Sequence, residues 1–286
     1  QRVRRARHAA EFAAESVFGV HTLPTARHVE MAKQIGFNWV RLHDAGGLEW
    51  SALEPRPGEW RFNDAVVRRY RGAKFEILGV LGTSPLWANA WPGADKQPIH
   101  SFWDKWGAPG DMDAWANYVG KVAGRYREDV RAFEVWNEPW IPRFFSGRRE
   151  PQAVGEPLYF HGEAPQRDYA ELSRRAADAV RASGSAAKLV GLNSTAGEGI
   201  SNRISGTAWA KGVAEADGIQ KMDAVSYHHY STARLGYAGD DVEAGLARAL
   251  GPLKTDAGAV KPVWLTEGAN TPGGLPGSFY RHTLPV

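Results

Sequence analysis

Two carboxylates stand out by position. Val135-Trp136-Asn137-Glu138-Pro139 follows the run Val130-Arg131-Ala132-Phe133-Glu134, and Glu267 closes Lys261-Pro262-Val263-Trp264-Leu265-Thr266-Glu267. Each Glu ends a buried-strand pattern, and Pro139 stops both strand and helix directly after Glu138. A carboxylate at such a place is costly to bury unless it has a partner or a task. If the two strands lie across one cleft, the pair has the parts for cleaving a glycosidic bond. One carboxyl gives a proton to the leaving oxygen, and the other attacks or activates water. That division needs unequal environments: an acid protonated near neutral pH and a partner that is ionised. Arg41 and His228 are the candidates to stabilise charge on Glu267. Trp136 and apolar surroundings are expected to shape the environment of Glu138.

The elements that must position these groups follow from pattern. Apolar runs predict strands at 17–21, 37–43, 75–81, 130–135, 187–192, 222–228 and 261–267. Helical spacing and stop signals predict helices from Thr25 to Gly36, over 65–71, from Asp111 or Asp113 through Tyr126, over 168–182, over 205–216 and from Asp240 or Asp241 toward Ala257. Two long irregular stretches, 88–110 and 140–165, carry many aromatics, as functional loops often do.

Seven short apolar strands alternating with helices predict a parallel sheet covered on both faces. An open doubly wound sheet usually has a Gly-rich phosphate turn after its first strand, and His21-Thr22-Leu23-Pro24 is nothing like one. Polar residues gather at strand C-terminal ends instead: Arg41 and His43, Ser84 and Trp87, Asn137 and Glu138, Asn193, His228 and Tyr230, and Glu267. That distribution favours a (β/α)8 TIM barrel. Too few residues follow Glu267 for an eighth β/α unit, so the expectation is one barrel domain over 1–286, incomplete at its C-terminus.

The motifs carry a resemblance. Trp136-Asn137-Glu138-Pro139 at the end of a fourth strand, with Glu267 ending a seventh, resembles the clan A retaining glycoside hydrolases. Arg41-Leu42-His43, Asp223 through Tyr230 and Leu265-Thr266-Glu267 look most like family 39, and the stretch from Trp50 to Phe62 is similar to families 5 and 42. The resemblance implies Glu138 as acid/base, Glu267 as nucleophile, and Asn137 as the partner of a sugar 2-hydroxyl. It also implies that Arg41 supports the nucleophile, with His228 and Tyr230 beside it.

Other features bound the reading. A net charge of +3 with a pI near 9.1 gives little support to nucleic-acid binding, and no apolar run approaches the roughly 20 residues of a membrane span. With no cysteine there is no thiolate metal site. His228 and His229 are adjacent in a strand and face opposite ways, so they cannot share one ion. No metal and no cofactor is therefore expected, and the expected partner is carbohydrate. Twelve Trp suit that partner, because flat aromatic faces stack on sugar rings; Trp87 and Trp140 are the leading candidates, with His43 as a wall residue. A secreted or periplasmic location is favoured, and composition does not address oligomeric state. The same residues would serve a transglycosylase. A catalytically inactive carbohydrate-binding barrel is the alternative of another class.

Overall fold

The computed structural model describes residues 16–43, 47–90, 106–145, 164–195, 204–231, 247, 250, 251, 253 and 261–270. In chain order these form β1 (Gly19–His21), α1 (Ala26–Gln34), β2 (Trp39–Leu42), α2 (Trp50–Leu53), α3 (Asp64–Gly72) and β3 (Glu76–Leu81). They continue as α4 (Met112–Arg125), β4 (Ala132–Val135), α5 (Pro165–Ala182), β5 (Lys188–Thr195), α6 (Gly206–Glu215), β6 (Ala224–Ser231) and β7 (Val263–Asn270). The basic N-terminal segment and nearly all of the helix expected toward Ala257 lie outside the described residues.

Helix ends are set by local chemistry. Thr25, Asp111 and Ser205 accept hydrogen bonds from the backbone N–H groups of His28, Asp113 and Ala208, which opens α1, α4 and α6. Pro165 starts α5 where its missing N–H costs nothing. Gly36 and Gly184, with φ of 98° and 75°, release the chain after α1 and α5.

All seven strands are parallel and lie side by side in chain order. A doubly wound sheet reverses its order at a switch point, whereas a barrel winds one way throughout. The sheet also curls. Trp39 of β2 and Trp264 of β7 meet edge to face at 5.4 Å, although four strands separate them in the sheet. They pack on a small inner core of Leu78, Ala132, Val190 and Ala224. The larger core lies between the outer face of the sheet and its helices, where Phe133, Val135 and Leu189 meet Trp115, Tyr169 and Leu172.

Three strands outrun their apolar patterns, β5 to Thr195, β6 to Ser231 and β7 to Asn270. Two breaks in register explain this. Gly191 pairs with Val225 but Ser194 with Tyr227, and Tyr227 pairs with Leu265 but His228 with Glu267. An extra residue shifts the two-residue alternation, so the apolar rhythm stops while pairing continues. The turn-rich loop after β2 contains the short helix α2, which the residue pattern did not suggest. Glu54 holds it by accepting from Trp50 Nε1 at 2.7 Å and from Gly58 N at 2.8 Å. Among the described residues, no helix is long and apolar enough to cross a membrane.

Candidate active site

Alternation along β4 turns Ala132 and Glu134 into the curl and Phe133 and Val135 outward. The chain then leaves regular strand geometry. Trp136 and Glu138 have φ of 66° and 45°, a left-handed conformation that is uncommon for such side chains and clusters at functional positions. Trp136 swings its indole into the outer core, against Trp106, Trp115 and Phe145, and donates from Nε1 to the Phe144 carbonyl at 2.5 Å. Thr83, just past β3, and Leu192 and Asn193, at the register break of β5, share the left-handed conformation.

The chain behind the motif is locked. Tyr169 of α5 donates to the Val135 carbonyl at 2.9 Å and accepts from Leu192 N at 2.8 Å, while Asn193 Nδ2 donates to the same carbonyl at 3.0 Å. Tyr169→Phe is expected to remove the acceptor of the buried Leu192 N–H and cost about 1–3 kcal/mol. Urea denaturation measures it, and an unchanged midpoint would show the hydroxyl to be dispensable.

Arg41 is the hub of the site. Only 4% exposed, it donates from Nε to Glu134 Oε2 at 2.6 Å, from Nη1 to Glu267 Oε2 at 2.9 Å and from Nη2 to Asn137 Oδ1 at 2.8 Å. Burial works against its charge, but the charges of Glu134 and Glu267 more than offset this and hold its pKa above the ordinary arginine value. Glu134 is fully buried. Burial disfavours its ionised form, yet Arg41, His228 and the hydroxyl of Thr266 keep its carboxyl below the usual range.

The register break in β7 explains how Thr266 and Glu267 both reach inward although they are adjacent. Thr266 Oγ1 donates to Glu134 Oε1 at 2.7 Å, and Glu267 reaches Arg41. His228 Nδ1 shares a 3.2 Å hydrogen bond with Glu138 Oε1 and lies 3.8 Å from Glu267 Oε2. Burial lowers the proton affinity of this imidazole, but the bond to Glu138 and the charge of Glu267 outweigh it, so its pKa lies above the ordinary histidine value. His21 of β1 stands 3.8 Å from Glu267 Oε2 at the rim. Desolvation and then the charge of Arg41 hold its pKa below the ordinary value.

Glu138, His228 and Glu267 bring one polar side-chain atom each within 4.8 Å of one another. The guanidinium beside Glu267 already supplies a fixed positive charge, which repels a cation and suits the group to moving protons.

No family model and no curated protein sequence matches the chain. Solved structures do. A family 39 glycoside hydrolase from the gut symbiont Bacteroides cellulosilyticus WH2 is similar at 20% identity and a TM-score of 0.56, over 88% of this chain and 49% of that one. A GH10 xylanase from Bispora sp. MEY-1, with xylobiose, is similar at 14% identity and a TM-score of 0.57, over 96% of this chain and 78% of that one. An exo-β-1,4-mannosidase from Opitutaceae bacterium strain TAV5 is similar at 17% identity and a TM-score of 0.51, over 88% of this chain and 45% of that one. The fold is the (β/α) barrel. At these identities the likeness is one of fold, and the chain spans about half the length of the family 39 structure.

The barrel brings together Arg41, Asn137, Glu138, His228 and Glu267 at one mouth. One expectation about Glu138 and its surroundings needs correcting. Trp136 faces the outer core rather than Glu138, because the left-handed backbone at Trp136 turns the indole away. His228 hydrogen-bonds Glu138 and also stands 3.8 Å from Glu267. His43 is buried, edge-on to His21 at 6.3 Å and tilted against Trp106 at 6.5 Å. Trp87 donates from Nε1 to the Glu54 carbonyl and meets Trp50 edge to face, and Trp140 is 7% exposed within the outer core. The side chain of Tyr230 lies outside the described residues, as do Trp91 and Trp103. Glu134 escaped notice because it sits within an apolar strand. The available signal was a charge two residues from Ala132, on the same strand face.

Proposed function

We propose that the barrel is a retaining glycoside hydrolase acting on O-glycosidic bonds of a polysaccharide or oligosaccharide. The observation that carries this reading is the closeness of Glu138 and Glu267, which each bring one carboxylate oxygen within 4.8 Å of the other at the barrel mouth. Carboxyl groups about 5–5.5 Å apart suit double displacement, whereas about 6.5–9.5 Å leaves room for the water of an inverting enzyme.

In this mechanism Glu267 attacks the anomeric carbon while Glu138 protonates the departing oxygen, giving a glycosyl ester on Glu267 and a free alcohol. Glu138, now ionised, takes a proton from water as the water attacks the same carbon, and Glu267 leaves as carboxylate. Arg41 hydrogen-bonds Glu267 at 2.9 Å and orients it. By taking the Asn137 Oδ1 acceptor, Arg41 also leaves the amide N–H donors of Asn137 for a substrate hydroxyl. Similar folds in a xylanase and an exo-β-1,4-mannosidase make xylosides and mannosides sensible first substrates.

The test is covalent trapping. An activated 2-deoxy-2-fluoro glycoside is expected to add one glycosyl mass, mapped by peptide sequencing to Glu267. Proton NMR should show the first-formed sugar with the substrate's anomeric configuration. An inverted first product, or a label on another residue, would overturn the assignment.

A further inference from the structure

We infer that Glu134 is a positioning residue for the nucleophile, holding Glu267 from two sides at once, through the guanidinium of Arg41 and through the hydroxyl of its chain neighbour Thr266. The inference deepens the glycosidase reading and rests on it.

Glu134 touches neither the mouth nor solvent, yet both of its oxygens are engaged, and each bond leads to Glu267. Oε2 accepts from Arg41 Nε, whose Nη1 donates to Glu267. Oε1 accepts from Thr266, the residue before Glu267 at the register break of β7. A guanidinium is planar, so pinning Nε to Glu134 and Nη2 to Asn137 leaves no freedom in where Nη1 points. The partners of Glu134 therefore come from β2 and β7, and it ties the strand that carries the acid to the strand that carries the nucleophile.

Charge gives the second half of the argument. Arg41 is buried with two carboxylates, and Glu134 takes one share of its charge. Without Glu134, more of the charge of Arg41 would bear on Glu267, holding its electrons more tightly and weakening its attack. The charged and titratable groups around Glu134 are Arg41 of β2, His228 of β6 and Tyr169 of α5, with Glu267 beyond Arg41. From β3 and β5 it is flanked in register by Val80 and Val190, which carry no charge.

Glu134→Gln keeps the volume and removes the charge. It is expected to lower kcat about 100-fold with KM little changed, since a misplaced reacting group costs about that much. Removing the negative charge that shares Arg41 with Glu267 favours the ionised form of Glu267, so the limb of the pH–rate profile that reports the nucleophile is expected to move to lower pH. Glu134→Asp keeps the charge on a shorter arm, so its kcat should fall while the profile stays in place. An equal loss of activity in Glu134→Gln with an unmoved profile would mean a merely structural role and overturn the proposal, as would unchanged kinetics.

If Glu134→Gln does not fold, Thr266→Val and Thr266→Ser decide. The valine variant should lose kcat and the serine variant should restore it; wild-type kcat in Thr266→Val refutes the link. If the wild-type protein hydrolyses no glycoside, the failure belongs to the glycosidase reading. The clamp is then judged by carbon-13 NMR of the side-chain carboxyls, where an unchanged Glu267 titration in the Glu134 or Thr266 variants refutes it.

Discussion

Glu267→Gln is expected to cut kcat by about 10⁴-fold or more while the protein remains folded. The substitution keeps the shape and an oxygen for Arg41 Nη1, so the 2.9 Å hydrogen bond can persist. An amide, however, cannot form the glycosyl ester. Arg41 keeps Glu134 as its counter-charge, which limits the effect on stability. Glu267→Ala sharpens the test. The vacated space admits azide, which can attack the anomeric carbon from the same face and yield a glycosyl azide of inverted configuration. Full activity in Glu267→Gln would remove Glu267 from the mechanism, whatever the geometry of the mouth.

The second large effect is on folding. Arg41→Met leaves Glu134 fully buried without its counter-ion, and stranding one partner of a buried pair costs about 3–5 kcal/mol. Asn137 and Glu267 lose a donor in the same step. The loss should depend on pH in a definite sense. The carboxyl of Glu134 is held below its ordinary value in the folded protein, so its contribution is present above the unfolded-state pKa and fades as pH falls. The difference in melting temperature between wild type and Arg41→Met is therefore expected to be large at pH 7 and to shrink below about pH 4. Adding Glu134→Gln to Arg41→Met should recover part of the stability, because the stranded charge is gone. A double variant no more stable than Arg41→Met alone would show that Arg41 and Glu134 are not energetically coupled.

Trp136-Asn137-Glu138-Pro139 shows how far local pattern reaches. A strand ending in an acidic pair before a proline is legible because Pro139 removes a backbone donor, and because seven apolar runs at regular spacing leave few folds open. Alternation also put His228 and His229 on opposite faces, and it is His228 that reaches Glu138. It failed wherever the alternation itself breaks. Nothing in Leu265-Thr266-Glu267 indicates an extra residue relative to β6, so a strict rhythm would turn Thr266 and Glu267 to opposite faces. Nothing in Val135-Trp136 indicates a left-handed backbone, so Trp136 was assigned to the wrong neighbour.

Chain order and residue type by themselves determined the winding of parallel strands and helices, the two carboxylates on the fourth and seventh strand units, and the arginine available to one of them. These are local or periodic properties, set by backbone donors and side-chain alternation. Only the tertiary structure decided that Arg41 reaches three side chains from β4, its exit and β7 at once, that His228 pairs with Glu138, and that Glu134 is linked to Glu267 through Arg41. Those choices depend on the curl of the sheet and on two register breaks, which bring together residues as far apart as Arg41 and Glu267 and have no signature in any one stretch of chain.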